Sequence, residues 1–170
     1  MNSHQSAVNS HQSAVSAPQA GSVSARLSEL GIALPTVVPP VGAYVPAVRS
    51  GSQVWTSGQL PMVDGELAGA GKVGAEVTAE EGKALARICA LNALAAVDSV
   101  VGIDSVIRVV KVVGFVASAE GFTGQPGVVD GASELIGEIF GAAGTHARSA
   151  VGVAELPLGV PVEVELVVEV

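Results

Sequence analysis

The order of helix-period and strand-period segments after residue 77 constrains the fold more than any single motif in the chain. Thr78-Ala79-Glu80-Glu81 fits a capping box, in which the threonine hydroxyl takes an orphan N–H and Glu81 reaches back to the cap. Leu85, Ile88, Leu91 and Ala95 continue one helical face to about Val101, and Gly102 lies just past its end. Ile103–Ser118 follows as one long strand rich in β-branched residues, its apolar run broken by Arg108 and Lys111. A Gly-rich entry, GFTGQPGVVDG, leads to a second helix over Val128–Phe140, with Val128, Val129, Ala132, Leu135, Ile136, Ile139 and Phe140 at helical spacing. Amphipathic helices and apolar strands each need a partner layer, so the expectation is an α+β two-layer domain with helices on one sheet face.

The upstream half adds a helix over Ser24–Leu34, interrupted at Gly31 and closed by Pro35, and then a proline-rich link. Strands are expected at Tyr44–Arg49 and Gln53–Ser57, joined through Ser50-Gly51-Ser52, with short strand character near 60–68 around an Asp64-Gly65 turn. The chain closes on an expected hairpin, Arg148–Ala154 against Val162–Val170 around ELPLGVP. A register that sets Val151 opposite Leu166 and Val153 opposite Val164 makes one face aliphatic. It puts Arg148 and Ala150 on the other, beside Glu163, Glu165 and Glu169. Glu163 and Glu165 then stand about 7 Å apart along the strand, and crowded carboxylates raise one another's pKa unless a cation intervenes. Two uses fit Arg148 there: a structural pair across the sheet or a subunit interface, or a fork presented to a carboxylate or phosphate.

Composition bounds the rest. The 170 residues are 49% hydrophobic but only 3% aromatic, so the core must be built from Val, Ala, Leu and Ile. Mean hydropathy is +0.54, yet no apolar stretch is expected to reach the roughly 18 residues of a membrane span, and no membrane partner is expected. Eight basic against sixteen acidic residues give a net charge of −8. Neither clustered cations for a phosphate backbone nor aromatics for base stacking are supplied, which argues against nucleic acid as a partner. Cys89 is the single cysteine, a small hydrophobe within the first long helix, and no intrachain disulfide can form. His4 and His11 lie in the tail, so no zinc ligand set assembles and no metal is expected. GAGKVG at 69–74 lacks phosphate-loop spacing. A Ser–His–Asp triad would need His146, but no nucleophile elbow accompanies it, and Ser57-Gly58-Gln59 is too short to serve. NSHQSAV at 2–8 is repeated at 9–15, and no charged side chain precedes Arg26. Residues 1–22 therefore read as a flexible appendage or duplicated start, and residues 23–170 as the domain. Without a basic, then apolar, leader the expected location is the cytoplasm.

Four segments in order, GAYVPAV with Tyr44, VWTSGQLP at 54–61, HARSAVGVAELP at 146–157 and PVEVE at 161–165, resemble the RidA/YjgF family across roughly residues 42–170. The resemblance implies a chorismate-mutase-like fold assembled as a homotrimer, with ligand clefts between subunits. It implies hydrolysis of reactive enamines and imines to 2-keto acids and ammonia, with neither metal nor organic cofactor. Arg148 would clamp the substrate carboxylate and Glu163 would hold the attacking water. Tyr44, Ser57, Gly58, Asp130 and Ala150 would line the ligand. An imine is already electrophilic, so orientation and a positioned water suffice. The chain departs from the pattern at Ala150, where many members carry cysteine, and at Asp130, where deaminating members carry asparagine. A carboxylate at 130 would repel an anionic substrate. The loop over 119–129 is longer than usual, and the helix at 24–34 is additional. These departures keep a second expectation open, a non-catalytic trimer that binds a small carboxylate or a protein partner.

Overall fold

The computed structural model describes residues 21–170 apart from 38, 40 and 41. The duplicated heptapeptide lies outside these residues, as does part of the proline-rich link. Helix α1 is Val23–Glu29, shorter than expected because Gly31 stops it at φ +67. Ile32 N–H reaches back to the Leu27 carbonyl at 2.9 Å, a reversal that glycine's left-handed backbone permits. Strands β1 (Ala47–Ser50) and β2 (Gln53–Thr56) form a hairpin, and β3 (Met62–Val63) with β4 (Glu66–Leu67) form a smaller one. The latter turns through Asp64 at φ +51 and Gly65 at φ +84, the paired left-handed conformation that a two-residue hairpin loop demands.

Helix α2, Ala79–Val101, has the capping box complete: Glu81 N–H donates to the Thr78 hydroxyl at 3.2 Å, and Thr78 N–H donates to the Glu81 carboxylate at 2.8 Å. It is long and apolar enough to cross a membrane, with a mean hydropathy of 1.6 over 18 residues, which corrects the sequence-based expectation. Its Leu85, Cys89, Ala93, Leu94 and Val97 are buried in the core. The strand expected from Ile103 starts later, at Arg108, and runs to Ala117 as β5. Asp98 captures the Ile103 N–H at 2.7 Å, which commits Ile103–Ser105 to a 3-10 turn. Helix α3, Gln125–Phe140, begins nearly a turn before Val128, with Pro126 in its first turn where no N–H partner is lost.

The closing hairpin does not form. Strands β6 (Ala147–Val153) and β7 (Val162–Glu169) flank β5 instead, β6 parallel to it and β7 antiparallel, in a sheet ordered β1-β2-β7-β5-β6. Burial explains the order. Five of the eight β7 residues are buried, whereas β6 has no fully buried residue and takes the edge. Leu166 therefore lies on the inner face at 1% exposure, while Val151 is 45% exposed on the outer one. The inner face carries Val54, Val109, Val112, Val116, Val162, Val164 and Val168 against α2 and α3 in one core.

Two glycines set how close the layers come. A Cβ at Gly131 would sit 1.9 Å from the Lys83 carbonyl oxygen, so α3 crosses α2 at backbone contact. At Gly114 on β5 a Cβ would overlap Val129 of α3. Because Gly137 faces open space on the same helix, the two positions test the crossing against helix propensity. Gly137→Ala should stabilise by about 0.5–1 kcal/mol. Gly131→Ala should instead destabilise by about 1–3 kcal/mol, both read from urea midpoints at unchanged slope.

Candidate functional site

Residues on one rung of a β-ladder share a face, and faces alternate along the strand. Arg148 shares the Val112 rung with Leu166, which turns it toward the helices. Glu163 shares the Phe115 rung, and Glu165 the Val113 rung, on the opposite, open face. The expectation that Arg148 faces Glu163, Glu165 and Glu169 is therefore overturned. The two rungs lie three residues apart along β5, about 10 Å, on opposite sides of the sheet. The sequence-derived register failed because it paired β6 with β7 directly, and the inserted β5 reverses which residues share a side.

On the helix side, Arg148 meets α3. Its Nη1 donates to Asp130 Oδ1 at 2.7 Å and to Ser133 Oγ at 3.1 Å. Among the described residues its Nε and Nη2 make no hydrogen bond. Asp130 is thus the partner that fixes one side of the guanidinium rather than an isolated repelling charge. Ser133 Oγ also lies 3.0 Å from His146 Nε2, and His146 Nδ1 lies 2.6 Å from the Gly144 carbonyl. A carbonyl only accepts, so the Nδ1 carries hydrogen. In the neutral ring Nε2 is then the acceptor of the Ser133 hydroxyl. Ala150 stands on the same inner face, opposite Gly114.

On the open side, the stretch after β2 wraps the start of β7. Gln59 and Val164 exchange both backbone hydrogen bonds, at 2.9 and 3.0 Å, which brings Gly58 under Glu163. A Cβ at Gly58 would overlap the Glu163 carboxylate, so the glycine lets that side chain lie directly against the turn. Ser57 Oγ donates to the Val45 carbonyl at 2.7 Å and ties this turn to the segment carrying the exposed Tyr44. Burial, and then the like charge of Glu165, push the Glu163 carboxyl above the usual carboxylate range, and burial does the same to Glu165.

The structure thus gathers Arg148, Asp130 and Ala150 on one side, and Ser57, Gly58 and Glu163 on the other. Ser133 was missed by sequence reasoning, and His146 was considered only for a triad. Asp130-x-x-Ser133 is one helical face and His146-x-Arg148 one strand face, a spacing signal that could have joined them.

Residues 23–170 match the family described as "YjgF/chorismate mutase-like, putative endoribonuclease". Protein TCP17 of Trypanosoma cruzi is 46% identical over 152 residues, 88% of this chain and 95% of that protein. A solved protein from Shewanella oneidensis, described as a putative endoribonuclease, superposes with a TM-score of 0.85 at 35% identity, covering 88% of this chain and all of the other. TdcF of E. coli, solved with bound serine, gives 0.60 at 26% identity, covering 79% and 93%.

The raised carboxyls carry a sign for stability. A carboxyl held neutral by the fold contributes stability at acid pH that is lost as pH rises through its folded-state pKa. Glu165→Gln removes that loss and relieves Glu163, so the variant should melt higher than wild type near neutral pH. The two should converge as both glutamates protonate, which thermal unfolding across the acid range checks.

Proposed function

The chain belongs to the YjgF/chorismate-mutase-like family, and on that premise we propose that it hydrolyses 2-imino acids to 2-keto acids and ammonia. One observation carries the proposal: among the described residues the Arg148 guanidinium is held through Nη1, which leaves Nε and Nη2 for a bidentate carboxylate. Asp130 keeps that fork in place. Its negative charge also favours a ligand that pairs its carboxylate with a cationic nitrogen, as a protonated imine does. The serine bound by E. coli TdcF is a small amino acid of the same charge pattern, which supports this ligand class.

The water side of the reaction falls to Glu163. A carboxyl whose pKa is raised by burial is a better base than an exposed one and returns its proton readily. Water adds to the imine carbon, giving its proton to Glu163 while the C=N electron pair moves to nitrogen. The resulting carbinolamine then expels ammonia. Gly58 leaves Glu163 room and Ser57 anchors the turn beneath it.

A small imino acid cannot touch Arg148 and Glu163 of one chain across the sheet. The reading therefore requires copies of the chain in which the Arg148 side of one meets the Glu163 side of the next, in a homotrimer. The open face supports such packing, with Trp55, Val48 and Val151 about half exposed. A ribonuclease activity fits poorly with a net charge of −8. The second reading is a trimer that binds a small carboxylate without turnover. It is favoured by Asp130, which already occupies Nη1, and by the absent thiol at Ala150.

Purified protein should release keto acid from imines generated by an amino-acid oxidase, and sediment as a trimer at micromolar concentration. Arg148→Lys, which keeps the charge but loses the fork, should lower kcat/KM by about 10²-fold. A thermal shift with 2-keto acids but no turnover would select the binding reading, and a monomer would overturn the composite site.

A further inference from the structure

We propose that Asn92 of α2 is a positioning residue for Glu163: from the helix layer it fixes the segment over 57–62, against which that carboxyl lies. The inference rests on the imine-hydrolase reading for the role of Glu163 and deepens it. The observation is where the core places its polar side chains. Among the described residues only two polar side chains are buried, Gln59 at 7% exposure and Asn92 at 4%. Both donate to backbone carbonyls of this one segment. Asn92 Nδ2 bonds the Leu60 carbonyl at 2.9 Å and the Met62 carbonyl at 3.0 Å, and Gln59 Nε2 bonds the Ser57 carbonyl at 3.2 Å.

The regular sheet ladder does not hold this segment. Beyond Trp55, which pairs with Val167, β2 leaves the ladder, and Gln59 rejoins it opposite Val164. Three residues, Thr56, Ser57 and Gly58, thus face two of β7, a bulge of the kind that re-aims side chains. Within it the Thr56 hydroxyl oxygen accepts the Leu166 N–H at 2.9 Å. Gly58 ends the bulge and lies against the Glu163 carboxylate. Past it, Pro61 has no N–H to give, and the Met62 N–H turns back to the Leu60 carbonyl at 2.9 Å. The two N–H groups of one amide span this tight reversal from outside, bridging Leu60 and Met62.

Asparagine is costly at that place in α2. It is a weaker helix former than the alanines and leucines around it, and a buried amide must find partners. Cys89, three residues earlier on the same helix face, brings its thiol 3.5 Å from the Val162 carbonyl, next to Glu163. The helix therefore bears on both sides of the bulge, on β7 through Cys89 and on the segment through Asn92. The segment carries no titratable side chain, and Phe115 and Val151 share the Glu163 rung. Glu165 is the charged neighbour, and its effect on Glu163 comes second to burial. A segment that moves away admits water to Glu163. The carboxyl then returns toward the ordinary range, and the attacking water loses its fixed acceptor.

Asn92→Ala removes both bonds, and Val97→Ala, a fully buried position on the same helix, controls for lost packing. Kinetics on oxidase-generated imines are measured on both. So is the carbon-13 titration of the Glu163 carboxyl, assigned by its loss in Glu163→Gln. In Asn92→Ala, kcat should fall about 10–10²-fold with KM little changed, because Arg148 is untouched. The acid limb of kcat/KM and the carboxyl midpoint should both move to lower pH, whereas Val97→Ala should move neither. Should Asn92→Ala not fold, Gln59→Leu removes the other buried donor and should move the midpoint the same way. A midpoint that matches Val97→Ala overturns the proposal even where imines are hydrolysed, and leaves Asn92 a structural tie alone. If wild type hydrolyses no imine yet the midpoint falls in Asn92→Ala, the imine reading fails. Asn92 then stands as the residue that holds the segment against Glu163.

Discussion

The backbone contact between α2 and α3 at Gly131 governs where everything else on the helix side can be. A side chain there would collide with the Lys83 carbonyl, so α3 lies as deep as a helix can against its neighbour. Asp130 and Ser133 flank this crossing, and its depth brings their polar groups within hydrogen-bonding distance of Arg148 on the edge strand. Lys83–Glu134 and Arg87–Glu138, both at 2.7 Å, repeat across the two helices at four-residue spacing and show that they run parallel. Such exposed pairs each contribute little, so the glycine rather than the charges sets the geometry.

The sheet order is the second determinant. Inserting β7 between β2 and β5 gives its apolar residues two neighbours and hides both of its edges. The same insertion sends β6 to the rim, where a half-buried arginine keeps access to solvent at the end of its side chain. Glutamates on β7 then lie on the uncovered side of the sheet, where the turn after β2 folds against Glu163. Acidic and basic halves of the candidate site are thus separated by the layer that holds the domain together. Their separation follows from the β-topology and not from any local property of Arg148 or Glu163.

What the sequence disclosed follows the range of the interactions. The α2 capping box is complete within four residues, and its partners are local, so Thr78 and Glu81 announce it. The Asp64-Gly65 turn and the stop at Gly31 are legible for the same reason, because each depends on the backbone freedom of a residue and its neighbours. The closing strands were not legible as a pair, since alternation fixes which residues share a face but not which strand lies alongside. Arg148 was recognisable from the motif around it, but its partners on α3 come from the parallel crossover that carries the chain from β5 through α3 to β6. The motif resemblance identified the family and the residues at stake, and the register decided which of them can meet.

Cys89 sits at 0% exposure in α2, its thiol 3.5 Å from the Val162 carbonyl of β7, and burial pushes its pKa well up. A thiol in that state reacts with alkylating reagents only when the helix layer lifts from the sheet. With no other cysteine in the chain, the rate of its modification is a clock for the separation of the two layers. The molecule therefore carries, at the centre of its core, a single built-in probe of how often that core opens.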